Sequence, residues 1–294
     1  MVIPAPVLAN AVGSPDAVFV DCSARVVTGT TGAATAAVTR LAGRARVSTG
    51  ERTFAVVRKE FRPLTSGRHA AVAADPRHWA YWRREPLAYR SGLLPSGPGL
   101  SVPRCYGVVD DVVYLQEVAG TPEKPTVAAA RLGAWQATSS TPDLPWLAGH
   151  QLAQRIAVTE LDWSAVDGDR RLAAIWSRRD EMLAALRSVP HVLSHGDFHL
   201  GNLIANGDRT VVLDWGAFGV APVGADLANL ALSVRDEVFA DFLAGLDGRF
   251  DPAAVHLGYR VTLALTAVSR VHWMLSSGIP VPDGYVDLAV DAGR

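Results

Sequence analysis

Lysine is almost missing from this chain. Of its 28 basic residues only Lys59 and Lys124 are lysines, and arginine supplies the rest. Each lysine therefore raises the question of what a compact ammonium does there that a guanidinium does not. Cysteine is equally sparse. Cys22 and Cys105 lie far apart with no CxxC or ligand spacing, which excludes a disulfide framework and a zinc site. The formal net charge is −1, so no global field recruits nucleic acid or an anionic membrane surface. Long apolar runs are missing too: the most apolar late stretch, residues 256–275, is interrupted by Arg260 and Arg270 and reads as a buried helix. The opening "MVIPAPVLANAVGSPD" has neither a basic start nor a long apolar core, which excludes a signal peptide. These absences predict a soluble cytoplasmic protein with no nucleic-acid or membrane partner.

The 294 residues, 49% of them hydrophobic, suffice for one large domain or two lobes with separate cores. Strand patterns dominate the first 120 residues: "AVFVDCSARVV", then "AAVTRLAG" and "RTFAVVRKEF", joined by a polar turn over 44–51. Residues 75–94 read as a helix with Asp75 as N-cap and Pro76 at its first position. Residues 104–118 read as a hairpin turning at Asp110–Asp111. "AGTPEKP" (119–125) is the best linker candidate, and beyond it the texture is helical over 126–137, 146–160, 169–189, 225–246 and 252–277. The expectation is an α+β protein: a small antiparallel β-rich lobe over 1–118 and a larger, mainly α-helical lobe over 119–294.

Into the second part is set "VLSHGDFHLGNLIANGDRTVVLDWG" (192–216), far more polar than its surroundings. His195-x-Asp197 is followed, after four intervening residues, by Asn202, and Asp214-Trp215-Gly216 closes the next strand. Phosphoryl transfer needs an aspartate that takes the proton of the acceptor hydroxyl, and an asparagine and a second aspartate that hold Mg²⁺ on the phosphates. Kinases arrange these parts as D-x-x-x-x-N with a later Asp-Phe-Gly, in which tryptophan here replaces phenylalanine. The all-oxygen donor set, Asn202 and Asp214, suits Mg²⁺ rather than zinc. Two plainer readings compete. A polar hairpin whose Asp and Asn make turns would account for any one of these residues, but not for the joint spacing. A zinc pair of His195 and His199 would need a helix, against which Gly196 and Gly201 argue.

A nucleotide kinase requires further parts upstream. "VTGTTGAAT" places Gly29 and Gly32 between two strands, as a turn over phosphates would, without a full G-x-G-x-x-G. Lys59 shares a strand face with Val57 and Phe61, where an ammonium is costly unless an anion neutralises it. A solvated edge-strand lysine is the alternative. Glu85 is its candidate partner on the helix, with a surface glutamate paired to Arg83 or Arg84 as the alternative; Pro86 predicts a kink beside it. The backbone of Glu117 and Val118 is the candidate hinge facing the base of ATP or GTP, between which the sequence does not choose.

With these residues in view the chain resembles the aminoglycoside phosphotransferase/choline kinase-like family. "HGDFHLGN" resembles its catalytic loop, in which His195 and His199 would support Asp197, and "VVLDWG" its metal-binding strand. "RREPLAYRSGLL" is similar to its lobe-linking helix, and "PVGADLANL" to the start of its following helix, with Asp226 as a structural anchor or cap. The resemblance implies a bilobal protein-kinase-like fold that transfers a γ-phosphoryl group from a Mg²⁺-nucleotide to a small-molecule hydroxyl. An antibiotic or related natural product is the expected acceptor. A primary metabolite, or nucleotide binding without turnover, is the alternative. Acceptor contacts are expected from the C-terminal helices, with His272 and Trp273 as candidates. The sequence assigns no oligomeric state.

Overall fold

A computed structural model of the chain describes residues 3–28, 34–67, 69–97 and 99–294. It opens with helix α1 (Ala5–Val12), too short to stand out by periodicity, which buries Val7, Leu8 and Val12. Strands β1 (Val18–Val26), β2 (Thr35–Val47) and β3 (Gly50–Phe61) follow. The polar turn expected over 44–51 narrows to residues 48–49. Both strands run on through the charged segment because Arg44 pairs across the solvent face with Asp21 and Glu51. From Phe54 onward β3 is at least partly buried on both faces. Phe54 and Val56 pack toward α1, while Val57, Lys59 and Phe61 point the other way.

Helix α2 (Arg84–Ser91) is shorter than expected, since residues 75–83 form successive tight turns rather than helix. The kink expected at Pro86 does not occur. Pro86 is the third residue of α2, where the amide it lacks would have had no intrahelical partner. Arg84, fully buried, donates to the carbonyls of Pro76, His78 and Trp146 and so ties α2 to two distant segments.

After the short β4 (Leu100–Ser101), strands β5 (Cys105–Val109) and β6 (Val112–Gln116) form the expected hairpin, with Asp110 at φ 52° in its turn. The N-terminal sheet has the order β1-β2-β3-β6-β5 and is antiparallel throughout. The expected linker is itself structured: β7 (Thr121–Pro122) pairs with residues 204–205 as the edge of a second sheet. Gly120 permits this, since a Cβ there would stand 2.2 Å from the Ala205 carbonyl oxygen.

Helices α3 (Pro125–Thr138), α4 (Gln151–Ile156), α5 (Arg170–Ser177) and α6 (Arg179–Ala185) precede strands β8 (His191–Ser194), β9 (Leu203–Asn206), β10 (Arg209–Val212) and β11 (Gly219–Pro222). α7 (Ala225–Val234), α8 (Phe239–Leu246), α9 (Pro252–Ser276) and α10 (Tyr285–Ala292) complete the chain. α4 starts late because Ala148 bridges to Gly219 and holds the preceding residues extended. The single helices expected over 169–189 and 225–246 are each divided, the second by Arg235 in a left-handed conformation. One apolar core joins α3, α7 and α9 to Phe198, Trp215 and Phe218, which lie beneath the polar stretch. No helix among the described residues is long and apolar enough to cross a membrane.

Candidate active site

The polar stretch forms the loop between β8 and β9 and the turn after β10. Its anchor is Asp226, 1% exposed near the start of α7. The carboxylate accepts from Ser194 Oγ (2.8 Å), the amides of His195 (2.8 Å) and Gly196 (2.9 Å), and Gln136 Nε2 (3.3 Å). Gly196 turns the chain at φ +79°, where a Cβ would meet the Ala217 carbonyl oxygen at 2.6 Å. The backbone is thereby aimed before any side chain acts.

His195 is buried edge-on to Trp215. Its Nδ1 accepts from the Asp197 amide (3.2 Å), so Nε2 carries the proton and donates to the Leu213 carbonyl (2.8 Å). One imidazole thus holds the loop of Asp197 against the residue preceding Asp214. His199 accepts the Gly201 amide on Nδ1 and turns Nε2 toward Asp197 Oδ2 at 3.5 Å. Burial opposes ionisation of Asp197, but His199, His195 and Arg155 outweigh it and hold the carboxyl below its ordinary range. It is a carboxylate at neutral pH, partly open to the cleft. Asn202 donates Nδ2 to the Asp197 carbonyl (3.0 Å), which turns its Oδ1 away as a spare oxygen donor.

Asp214 occupies the left-handed region at φ 64°, ψ 66°, a conformation aspartate tolerates better than most residues. Lys59 Nζ lies 2.6 Å from Asp214 Oδ1 and 2.7 Å from Glu85 Oε2. Lys59 is therefore no solvated edge lysine, and Glu85 no surface glutamate. Burial disfavours the Lys59 charge, yet the two carboxylates more than compensate and raise its pKa. Burial likewise pushes Glu85 up, to about 7, against the pull of Lys59, and Glu85 Oε1 has no hydrogen-bond partner. For Asp214, burial is outweighed by Lys59, and the group is held below its ordinary range.

These groups border a cleft of about 660 Å³ between the two sheets. Val38, Val57 and Leu115 line it from the N-terminal sheet, and Ile204 and Leu213 from the opposite side. β6 ends at Gln116, so the peptide groups of Glu117 and Val118 lie outside the ladder at the cleft wall, with the Glu117 side chain held by Arg40 at 2.5 Å. Among the described residues no three His, Cys, Asp or Glu side chains cluster as a self-sufficient cation site. The oxygens of Asn202 and Asp214 nevertheless fit Mg²⁺, which commonly takes one or two protein ligands and fills its shell with phosphate oxygens and water.

A smaller cavity of about 90 Å³ opens on the other side of Asp197. Gln151 and Arg155 line it from α4, Asn229 from α7, and Thr262, Thr266, Ser269 and Arg270 from α9. His272 and Trp273, the candidates for acceptor contacts, do not line it. His272 turns to the Asp162 carbonyl (3.0 Å) and Trp163, while Trp273 is 59% exposed. The residues that do line it carry a sequence signal: positions 262, 266, 269 and 270 form a polar stripe at i, i+4, i+7 and i+8 of α9. The expected glycine turn, Gly29 and Gly32, lies outside the described residues.

The sequence profile of APH, the phosphotransferase enzyme family, matches residues 111–258, half of the chain, and the chain belongs to that family. It is a small-molecule phosphotransferase with a hydroxyl acceptor, of mixed α+β, protein-kinase-like fold. A Plasmodium vivax ethanolamine kinase superposes with TM-score 0.56 at 13% identity, over 92% of this chain and 79% of that one. Aminoglycoside 2'-phosphotransferase-IIIa, solved as its GDP complex, gives 0.55 at 13% identity over 92% of both chains. Amicoumacin kinase hAmiN, solved with AMP-PNP, Ca²⁺ and Ami, gives 0.52 at 13% identity over 95% of this chain and 86% of that one. At such identities the likeness is one of fold. Comparison of the sequence with curated proteins finds no match.

Proposed function

We propose that the protein transfers the γ-phosphoryl group of Mg²⁺-ATP or Mg²⁺-GTP to an alcohol seated beside Asp197. The observation that carries this reading is Lys59 held between Glu85 and Asp214 on the wall of the cleft that Asp197 and Asn202 also border. The apolar slot receives the base, and the peptide groups of Glu117 and Val118 meet its edge. Lys59, kept charged and oriented by Glu85, contacts the α- and β-phosphates. Asn202 and Asp214 hold the metal, which when bound neutralises charge on the phosphates. Asp197 orients the acceptor hydroxyl and takes its proton as the new O–P bond forms and the bond between the γ-phosphorus and the bridging oxygen breaks, releasing the nucleoside diphosphate. His195 and His199 hold Asp197 in place. In this reading residues 1–118 form the nucleotide lobe and 119–294 the acceptor and catalytic lobe, working in the cytoplasm.

The test incubates the purified protein with Mg²⁺, ATP or GTP, and a panel of hydroxylated antibiotics and primary metabolites, with mass-spectrometric detection. A product heavier by one phosphoryl group with the wild type, and none with Asp197→Asn, is the expected outcome. Equal product from both proteins overturns the assignment. The panel also separates an antibiotic acceptor from a metabolic one.

A further inference from the structure

The cavity on the acceptor side of Asp197 has a distinctive charge. Its lining includes two guanidiniums, Arg155 and Arg270, and the hydroxyls of Thr159, Thr262, Thr266 and Ser269. Its only carboxylates are Asp197, committed to the reacting hydroxyl in the reading above, and Asp226, whose oxygens are engaged by four donors. No carboxylate in the lining remains to receive a substrate ammonium. His150 adds no positive charge, since burial lowers its pKa to about 4 and leaves it neutral.

The two arginines are presented differently. Gln151, with its amide oxygen turned to Arg155, accepts from that guanidinium at 2.8 Å, and the Arg155 side chain also stacks on Trp79 at 4.1 Å. Arg155 also borders the space between Asp214 and Asp197, on the phosphate side. Arg270 is half-buried on α9, and its recorded polar contact is a long one, 3.5 Å to Asn229 Oδ1. Among the described residues it forms no ion pair with a carboxylate. One α9 turn pair away, Thr262 is 3% exposed and its hydroxyl has no partner, although it lines the same cavity. A guanidinium that lines a cavity without a counter-ion is a group that an anionic ligand would complete.

Resting on the kinase reading, we propose that the acceptor is a small hydroxylated carboxylate, its anionic end held by Arg270. The cavity itself, about 90 Å³, holds a carboxylate-bearing end of a few carbons beside Arg270, and its open mouth leads on past Asp197. The same lining disfavours polycationic and quaternary-ammonium acceptors, which need carboxylates or an aromatic cage.

The experiment uses matched acceptors with the full-length protein, Mg²⁺ and ATP or GTP: glycerate, glycerol and 2-amino-1,3-propanediol, then 4-hydroxybutyrate, homoserine, 1,4-butanediol and 4-amino-1-butanol. Binding of the Mg²⁺-nucleotide is measured separately by calorimetry. The expected result is phosphorylation of at least one carboxylate with kcat/KM tenfold or more above its neutral and cationic counterparts. Arg270→Gln should then raise KM for that carboxylate at least tenfold with a much smaller fall in kcat, and Arg270→Lys should restore part of the loss. Preference for a neutral or cationic member, or a KM indifferent to Arg270→Gln, overturns the proposal and leaves the kinase standing. So does nucleotide binding with no carboxylate phosphorylated. Failure to bind nucleotide at all would instead sink the kinase reading, and this inference with it.

Discussion

The two sides of Asp197 are built on opposite plans. On the nucleotide side the central charges have counter-charges already in place: Lys59 sits between Glu85 and Asp214, and Arg40 is paired with Glu117. On the acceptor side the guanidinium of Arg270 lacks a carboxylate and the hydroxyl of Thr262 lacks any partner. The nucleotide side is drawn mainly from strands and the loops at their ends, with Glu85 added from α2, whereas the acceptor side takes most of its polar side chains from α4, α7 and α9. The difference teaches where each kind of specificity resides. Triphosphate chemistry demands fixed residue types at fixed spacing along one stretch of chain, whereas an acceptor pocket needs only the right side chains brought together by helix packing.

The largest expected effect is at the residue both sides share. Asp197→Asn should lower kcat by roughly 10²–10⁴-fold, the usual range for a general base, with little change in nucleotide affinity by calorimetry. A matching loss of nucleotide binding would mean that Asp197 belongs to the phosphate side alone. Next is the anchor beneath it. Asp226→Ala strands donors from Ser194, His195, Gly196 and Gln136 in the core and should cost about 3 kcal/mol in denaturant unfolding. Impaired nucleotide binding and acceptor binding together would mark Asp226 as the support of both sides.

A pH experiment probes the nucleotide side. The folded pKa of Glu85 is raised from 4.5 to about 7, chiefly by burial. A raised carboxyl contributes stability that is fully present below 4.5 and is lost as pH rises through about 7. Glu85→Gln should therefore flatten the stability curve across that window, by at most about 1.4 kcal/mol per pH unit. An unchanged slope would show that Lys59 keeps Glu85 ionised throughout. The smallest effect is on the acceptor side. Thr262→Val removes a buried hydroxyl with no partner and should stabilise the apo protein by about 1 kcal/mol in thermal unfolding. Destabilisation instead would mean that the hydroxyl is satisfied in solution, and the contrast between the two sides would weaken.

Legibility in the sequence followed the same division. Lys59 was conspicuous as one of two lysines and by its alternation with Val57 and Phe61, and the structure buries it against the expected Glu85. The pairing held because Pro86 falls in the first turn of α2, a placement that depends on where the helix begins. The helix begins later than Asp75-Pro76 predicts, because the chain spends that N-terminal signal on a turn, with Asp75 accepting the Arg77 amide. His272 and Trp273 drew attention by residue type, yet helix phase turns them to Asp162 and solvent while Thr266, Ser269 and Arg270 face the cavity.

Spacing along the chain was enough to bring Asp197, Asn202 and Asp214 together, because a short β9–β10 hairpin has few ways to connect them and the hydrogen-bonding of strand ends is local. Alternation was enough to place Lys59 on an inward face, because a strand repeats every two residues whatever it packs against. Which carboxylate would meet that lysine, and what would line the far side of Asp197, depended on contacts between segments 26 to 155 residues apart. Those contacts are set by how helices and sheets pack in three dimensions, where burial strips charges of water and makes each counter-charge, or its absence, matter.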